Sequence, residues 1–445
     1  MNNKKIVQLT NNSITGYSLA FLIGLAIGLS YVPDSFVGIL YIVAAAACLL
    51  YALQGNIAKV FSLLPYIVYS EIYVRGNIHF IPYLFAQYLL IAVFLFLILR
   101  QGNKAKLHSL AFIFIIFFAV IEIVDSARAI DYVYARGLVV NTLAVTVIVT
   151  WASFNFLVPA LINKFLDHLK FASIYLCGIV LAAHFTGHID YGLTSNSEST
   201  NGLAPVQISG YLGFSCFVFF LSVMSDEERK DLVLNLLLLA ISSAVMLLSF
   251  SRGGLYFLGI MITIYLFFNR RKVKNYFLLF LLIPVAIAVY YYVTVSTNGL
   301  IEERYAEQGT SGRDELLKAG YNLFITQPLT GVGTGNFNLE ITNQHLYDTE
   351  SGAHNEFIRA AAEHGLAGII TYWGFFVSLI FGILKRKKIQ REYALYFAFF
   401  FILITIHNGL KISLQPLLLL FAVATPSLIK IKKKINVSAQ NELAL

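Results

Sequence analysis

Residues 275–295 read NYFLLFLLIPVAIAVYYYVTV, a run with no formal charge. As a helix it would rise about 30 Å, the thickness of a bilayer's hydrocarbon core. RRKVK (270–274) stands before it, and a polar stretch, 296–366, begins directly after it. Comparable runs recur along almost all of the 445 residues. The chain is 58% hydrophobic and 13% charged, whereas a soluble protein carries about a quarter charged residues. A membrane barrel would need short alternating segments, which are absent. The sequence therefore predicts an all-α polytopic membrane protein, a single integral membrane domain over 1–445. About fourteen transmembrane helices are expected, at roughly 14–32, 35–53, 57–74, 80–99, 107–125, 138–160, 169–186, 205–224, 231–250, 253–269, 275–295, 367–384, 392–409 and 412–429. The first is expected to stay as an anchor after the short start MNNKK.

Net charge is +8, but the placement of the charge says more. With both termini in the cytoplasm, RQGNKAK (100–106), RRKVK (270–274), KRKKIQR (385–391) and KIKKK (430–434) all fall inside. That map puts about 23 Lys and Arg inside and about 9 outside, the bias that cytoplasmic loops show. The stretch 296–366 then faces outward as a large loop, periplasmic in a bacterium. A nucleic-acid partner would need a basic aqueous face with stacking aromatics, and none is present. Cys48, Cys177 and Cys216 lie inside apolar runs and read as packing residues. The outward loop 187–204, rich in Ser, Asn and Gly, could close over a substrate.

The 296–366 loop holds SGRDELLKAG (311–320), PLTGVGTGNF (328–337) and GAHNEFIRAAAEHG (352–365). Ser311 with Asp314 reads as a capping box opening a short helix from about Gly312 to Ile325. A second is expected from near His354 to Gly365, a suitable terminating glycine. His354 would share a face with Phe357, Ile358 and Ala361. At a helix N-terminus the dipole favours the neutral ring, which can act as a base. A histidine that merely caps a loop is the bland alternative.

Arg252, in SFSRGGLYF (249–257), stands where a span re-enters the membrane. An ionisable group at such depth is a functional candidate, although an arginine can also snorkel to lipid phosphates. Arg313 opens the first loop helix, and its forked guanidinium suits a pyrophosphate, although taken alone it reads as a solvated surface arginine. GVGTG (331–335) is a weak nucleotide motif: no strand precedes it, and Asn336 stands where the third glycine would fall. Asp348 and Glu350 form a D-x-E pattern with few further oxygen ligands nearby apart from Glu302 and Glu303. No metal and no cofactor is expected. His364 reads as a cation at a helix C-terminus, and Arg359, off the His354 face, as a contact for lipid headgroups.

Taken in order, SRGG (251–254), SGRDELLKAG, PLTGVGTGNF and AHNEFIRAAAEHG resemble the O-antigen ligase/polymerase superfamily of bacterial envelopes. The likeness spans roughly 249–370. The ligase-like pattern of an arginine with leucine four residues on is not met, since Tyr256 stands there. The resemblance implies an inverting, metal-independent glycosyltransferase of the GT-C type in the bacterial inner membrane, its active site facing the periplasm. The donor it implies is an undecaprenyl-diphosphate-linked oligosaccharide. Carried onto this chain, it implies Arg252 and Arg313 as diphosphate-binding and catalytic residues, with His354 as the base. A polymerase extending a lipid-linked repeat unit is the leading expectation. A ligase to lipid A-core or a protein O-oligosaccharyltransferase would differ in acceptor, and a lipid-linked oligosaccharide transporter would differ in class. A chain-length regulator or flippase is the expected kind of protein partner.

Overall fold

The computed structural model describes residues 3–101, 107, 109–186, 189, 191, 197–225, 229–307, 312–347 and 351–424. Helices are its only regular elements among the described residues. The first six are α1 (Asn3–Gly28), α2 (Asp34–Gln54), α3 (Ile57–Asn77), α4 (Phe85–Gln101), α5 (Ala111–Asp125) and α6 (Tyr132–Phe154). Next come α7 (Pro159–Thr186), α8 (Pro205–Ser225), α9 (Arg229–Leu248), α10 (Gly253–Asn269), α11 (Val273–Ser296) and α12 (Leu300–Glu307). The last six are α13 (Arg313–Thr326), α14 (Phe337–Asn343), α15 (Glu356–Gly368), α16 (Gly374–Leu384), α17 (Lys388–Asn408) and α18 (Leu414–Ala424). Among the described residues, nine helical stretches are long and apolar enough to cross a membrane, and four shorter helices are also apolar. The chain is a multi-pass helical membrane protein; thirteen of the fourteen expected spans overlap one of these helices, and the remaining one, 107–125, overlaps the 15-residue α5.

The helices gather into two compact units. Unit 1 comprises Met1–Tyr51, Lys59–Ala86 and Phe165–Ser311; unit 2 comprises Ala52–Ala58, Gln87–Lys164 and Gly312–Leu445.

In unit 1, α8 is enclosed on all sides: every residue from Ile208 to Phe220 is buried, as a helix apolar all round must be. Small residues let its neighbour approach. A Cβ on Gly254 of α10 would fall 2.2 Å from the Ser209 carbonyl, and one on Gly213 2.9 Å from Gly254 Cα, so the α8–α10 crossing needs both glycines. The buried carboxylate Glu71 is paired one turn along α3 with Arg75 at 3.4 Å and accepts from Tyr211 Oη at 3.0 Å. A charge inside a span is tolerated when matched in this way.

In unit 2, α18 is buried along its whole length. The loop segment after Gly312 has a core of its own: Leu316, Ala319 and Leu323 of α13 pack with Val332, Phe337, Ile341, Ala353 and Ala362. These apolar positions, three and four residues apart on α13, are what fold the polar stretch into a fixed body. Helix α13 starts one residue from the expected place, with Gly312 at the cap in a left-handed conformation (φ 75°). Ser311, expected as its cap, lies outside the described residues, as do Asp348 and Glu350. Gly365 breaks the helical geometry at φ 60°, ψ −143°, so α15 bends where the sequence predicts a stop.

Candidate active site

His354 does not open a helix. It lies two residues before α15 in a left-handed conformation (φ 51°), and Asn355 is the cap, its side chain accepting from Phe357 N at 2.9 Å and Ile358 N at 3.4 Å. The side-chain periodicity that would align His354 with Phe357 and Ile358 therefore does not apply. Its neutrality has a different source from a helix dipole. Burial of the ring first, then the positive charges of Lys411 and Arg313, hold its pKa down to about 4.

Arg313 is the first residue of α13, and its guanidinium lies against the ring of His407, with Nη2 3.1 Å from Nε2. Unit 2 thus gathers Arg313, His354, His407 and Lys411. The last two carry no motif in the sequence; they stand at the end of α17 and the turn after it, more than fifty positions from His354.

Arg252 belongs to unit 1. It holds the cap position of α10, and the turn it sits on is pinned to α8: Ser209 Oγ donates to the Ser251 carbonyl at 2.9 Å and accepts from Gly254 N at 2.8 Å. Beside it is Arg304 of α12, only 6% exposed. Arg304 Nε donates to the Phe250 carbonyl at 3.5 Å, and Phe250 takes a left-handed φ of 54°. Burial and then the neighbouring Arg252 charge lower the pKa of Arg304. Two guanidiniums that repel each other form a centre suited to a multiply charged anion.

The largest departure from the sequence reading concerns Arg359 and His364. Arg359 does not meet lipid headgroups: it is 4% exposed, at the centre of a buried charge cluster. Its Nη1 and Nη2 donate to the two oxygens of Glu122 at 2.8 and 3.1 Å, its Nε to Glu356 at 2.9 Å, and Nη1 also to Glu363. His364, expected at a helix end, is buried with Nδ1 2.6 Å from Asp125 Oδ2 and Nε2 3.3 Å from Glu122 Oε2. The cluster locks α15 to α5. Glu122, Glu363 and His364 bring one metal-binding atom each within 4.8 Å of one another. Arg359 already bonds both of these carboxylates, so their oxygens are engaged by a guanidinium where a metal would need them.

The glycine run 331–335 serves this same joint. Val332 N donates to the Ala362 carbonyl at 3.0 Å and Gly333 N to the Glu363 carbonyl at 2.9 Å. Thr334 Oγ1 donates to the Glu122 carbonyl at 2.8 Å. Arg128 Nη2 donates to the Thr330 carbonyl at 2.8 Å and Nη1 to that of Gly331 at 3.2 Å. A Cβ on Gly331 would lie 2.3 Å from the carbonyl carbon of Glu363. The run is a strap on α15, with the amides of Gly331, Val332 and Gly333 spent on protein carbonyls.

Residues 237–373 match the family model described as O-antigen ligase. The match covers about a third of the chain and supports the O-antigen ligase/polymerase superfamily. None of the curated proteins compared with the chain matches it. The O-antigen ligase segment contains Arg252, Arg304, Arg313, His354, Arg359 and His364. Glu122 and Asp125, which complete the charge cluster, lie outside it, as do His407 and Lys411. The side chains around the matched segment thus come partly from elsewhere in the chain.

Proposed function

We propose that the protein is an envelope-polysaccharide polymerase. In this reading it transfers a growing glycan from undecaprenyl diphosphate to a lipid-linked repeat unit at the periplasmic face of the bacterial inner membrane. The observation that carries the proposal is a half-buried, neutral His354 beside two cations, in a superfamily segment of an integral membrane protein. In the reaction, an acceptor hydroxyl oxygen bonds to the anomeric carbon from the face opposite the leaving group. The bond from that carbon to the diphosphate oxygen breaks, and the electron pair leaves with the lipid diphosphate. The hydroxyl proton passes to the free imidazole nitrogen of His354. Such a leaving group needs charge neutralisation more than a proton, and Arg313 supplies it where negative charge grows. Arg252, with Arg304 in unit 1, offers a second doubly cationic centre for phosphate.

The depressed pKa of His354 belongs to the donor-free protein. A bound diphosphate would offset the charges of Lys411 and Arg313 and raise the ring's pKa, while burial continues to hold it below the ordinary value, making it a better base only when the donor is in place. Activity without an added metal and inversion at the anomeric carbon are parts of this proposal. Envelope glycans of a deletion strain test the acceptor. Single repeats still attached to their anchor would support a polymerase; loss of all attached glycan would point to a ligase.

A further inference from the structure

Helix α13 belongs to the polar loop, yet it carries three different faces. Leu316, Ala319 and Leu323 pack into the loop segment's core. Glu315, Lys318, Asn322 and Thr326 make a second face, exposed and polar. Leu317, Tyr321 and Ile325, each four residues after the last, make a third; all are exposed, Tyr321 and Ile325 by more than half. At about 3.6 residues per turn these faces divide the helix into rough thirds. The charged residues Arg313, Asp314, Glu315 and Lys318 all stand in its first two turns, and from Ala319 to Leu339 no residue carries a formal charge.

Both ends of α13 are tied to the ends of membrane spans. Arg313 lies against His407, one residue from the end of α17. Pro328, two residues past α13, accepts at its carbonyl from Leu366 N at 2.8 Å. Gly365 permits this approach, since a Cβ there would fall 2.5 Å from the same carbonyl oxygen. At Leu366 the chain enters the span that contains α16, and α17 returns across the membrane, so Leu366 and His407 stand on the same side. A rod of 14 residues held at both ends by such points lies near the plane of the membrane and does not rise out of it.

The apolar face of α13 also opens onto the surface of those spans. Tyr321 and Phe324 line a cleft of about 590 Å³ with Ile358 of α15, Ile369 and Trp373 just after it, and Ile406 of α17. Ile369, Trp373 and Ile406 belong to Glu356–Leu384 and Lys388–Asn408, stretches long and apolar enough to cross a membrane. Ile370 and Trp373 are exposed there, as side chains facing lipid are. One apolar surface thus continues from these spans onto α13.

We propose that α13 is an in-plane membrane helix: its Leu317–Tyr321–Ile325 face is immersed in the leaflet on the loop's side, and phospholipid acyl chains fill the cleft. A helix with one apolar and one polar face settles at a bilayer's boundary in this way, its apolar side sunk by about 5–10 Å. Aromatic rings with polar tips, such as those of Tyr321 and Trp373, favour that depth. A protein seated on this face would also have to cover Ile370 and Trp373 inside the bilayer, so the continuity of the surface decides for lipid. The inference makes no use of the polymerase reading.

The test uses the full-length protein in phosphatidylethanolamine–phosphatidylglycerol liposomes, with Tyr321→Cys, Asn322→Cys and Ile325→Cys each labelled with a nitroxide. Cys48, Cys177 and Cys216 are buried, and the wild type gives their background. Collisions are measured with oxygen, which concentrates in hydrocarbon, and with a nickel chelate, which stays in water. The labels at Tyr321→Cys and Ile325→Cys should favour oxygen several-fold over the chelate, and the label at Asn322→Cys should do the opposite. Free access of the chelate to all three would put α13 in water and overturn the proposal. Poor access of both reagents to Tyr321→Cys and Ile325→Cys would show protein covering the face, and would overturn it equally. Should these variants fail to fold, the wild type in liposomes of phospholipid bearing an acyl-chain diazirine replaces them. Light should then couple lipid to the segment 313–327, and labelling confined to the spans overturns the proposal.

Discussion

Replacing Arg359 by methionine should be the most damaging single change in unit 2, and the geometry sets the scale. Arg359 bonds Glu122, Glu356 and Glu363, whose side chains are 0%, 2% and 0% exposed. Methionine keeps much of the volume but leaves three buried carboxylates facing one another. Removing one partner of a buried ion pair costs about 3–5 kcal/mol, chiefly because the other charge is left uncompensated. For a body the size of unit 2 this lowers the melting temperature by roughly 6–20 °C. Glu122→Gln should cost less, because Arg359 keeps Glu356 and Glu363. The two changes should also be strongly non-additive: Glu122→Gln placed in the Arg359→Met protein removes one of the repelling charges and restores part of the loss. Thermal unfolding in detergent, followed by tryptophan fluorescence or by aggregation, reads all three variants. A melting temperature within about 2 °C of wild type for Arg359→Met, or strictly additive losses, would show that the cluster does not hold α15 to α5.

Three further outcomes follow from the same structure. The acid limb of kcat/KM, which reports the free enzyme, should reach down toward pH 4, where His354 titrates, while the limb of kcat should lie at higher pH because the bound diphosphate offsets Lys411 and Arg313; coincident limbs would break the link between donor and base. Gly331→Ala should destabilise by about 2–4 kcal/mol, through its positive φ and the 2.3 Å approach to Glu363. Gly259→Ala on α10, with nothing within 4 Å of the new Cβ, should be neutral or stabilising by up to about 1 kcal/mol in the same melts, and equal losses at the two sites would refute the packing argument. Arg304→Gln should weaken donor binding several-fold with little change in melting temperature, and the reverse pattern, stability lost and binding kept, would make Arg304 a structural residue.

The spans were legible because an uncharged run near twenty residues has few fates other than a membrane helix, and 275–295 lies within α11 as expected. Of the loop helices, α13 was legible to within a residue and the start of α15 to within two, while Gly365 bends α15 where a stop was expected, and α12 and α14 were not anticipated. The partners of the charged residues were not legible either. Local periodicity places Arg359 on a helix face but cannot show that Glu122, 237 positions earlier, waits behind it. A usable signal did exist: Glu122 is a carboxylate inside an apolar run, and such a group requires a cation. His354 stands out by its motif, yet it precedes α15 and does not open it. Its environment is set by Arg313 on α13 and by Lys411 on the α17–α18 turn, contacts that no window of sequence contains. Lys411 itself looks in sequence like any lysine near the end of a span. Its place beside His354, where its charge helps hold that ring neutral, is visible only in the fold.

The central claim is that His354 takes the acceptor's proton during glycan transfer from a lipid diphosphate. The most direct measurement places the purified full-length chain in liposomes with undecaprenyl-diphosphate-linked repeat units and resolves product length by gel or mass spectrometry. The wild type should convert the donor into longer glycan still carried on lipid diphosphate. His354→Gln should bind donor as before and lose about 10²–10⁴-fold in rate, the range for a general base. Full transfer by His354→Gln, or a wild type that leaves the donor unextended, would contradict the account.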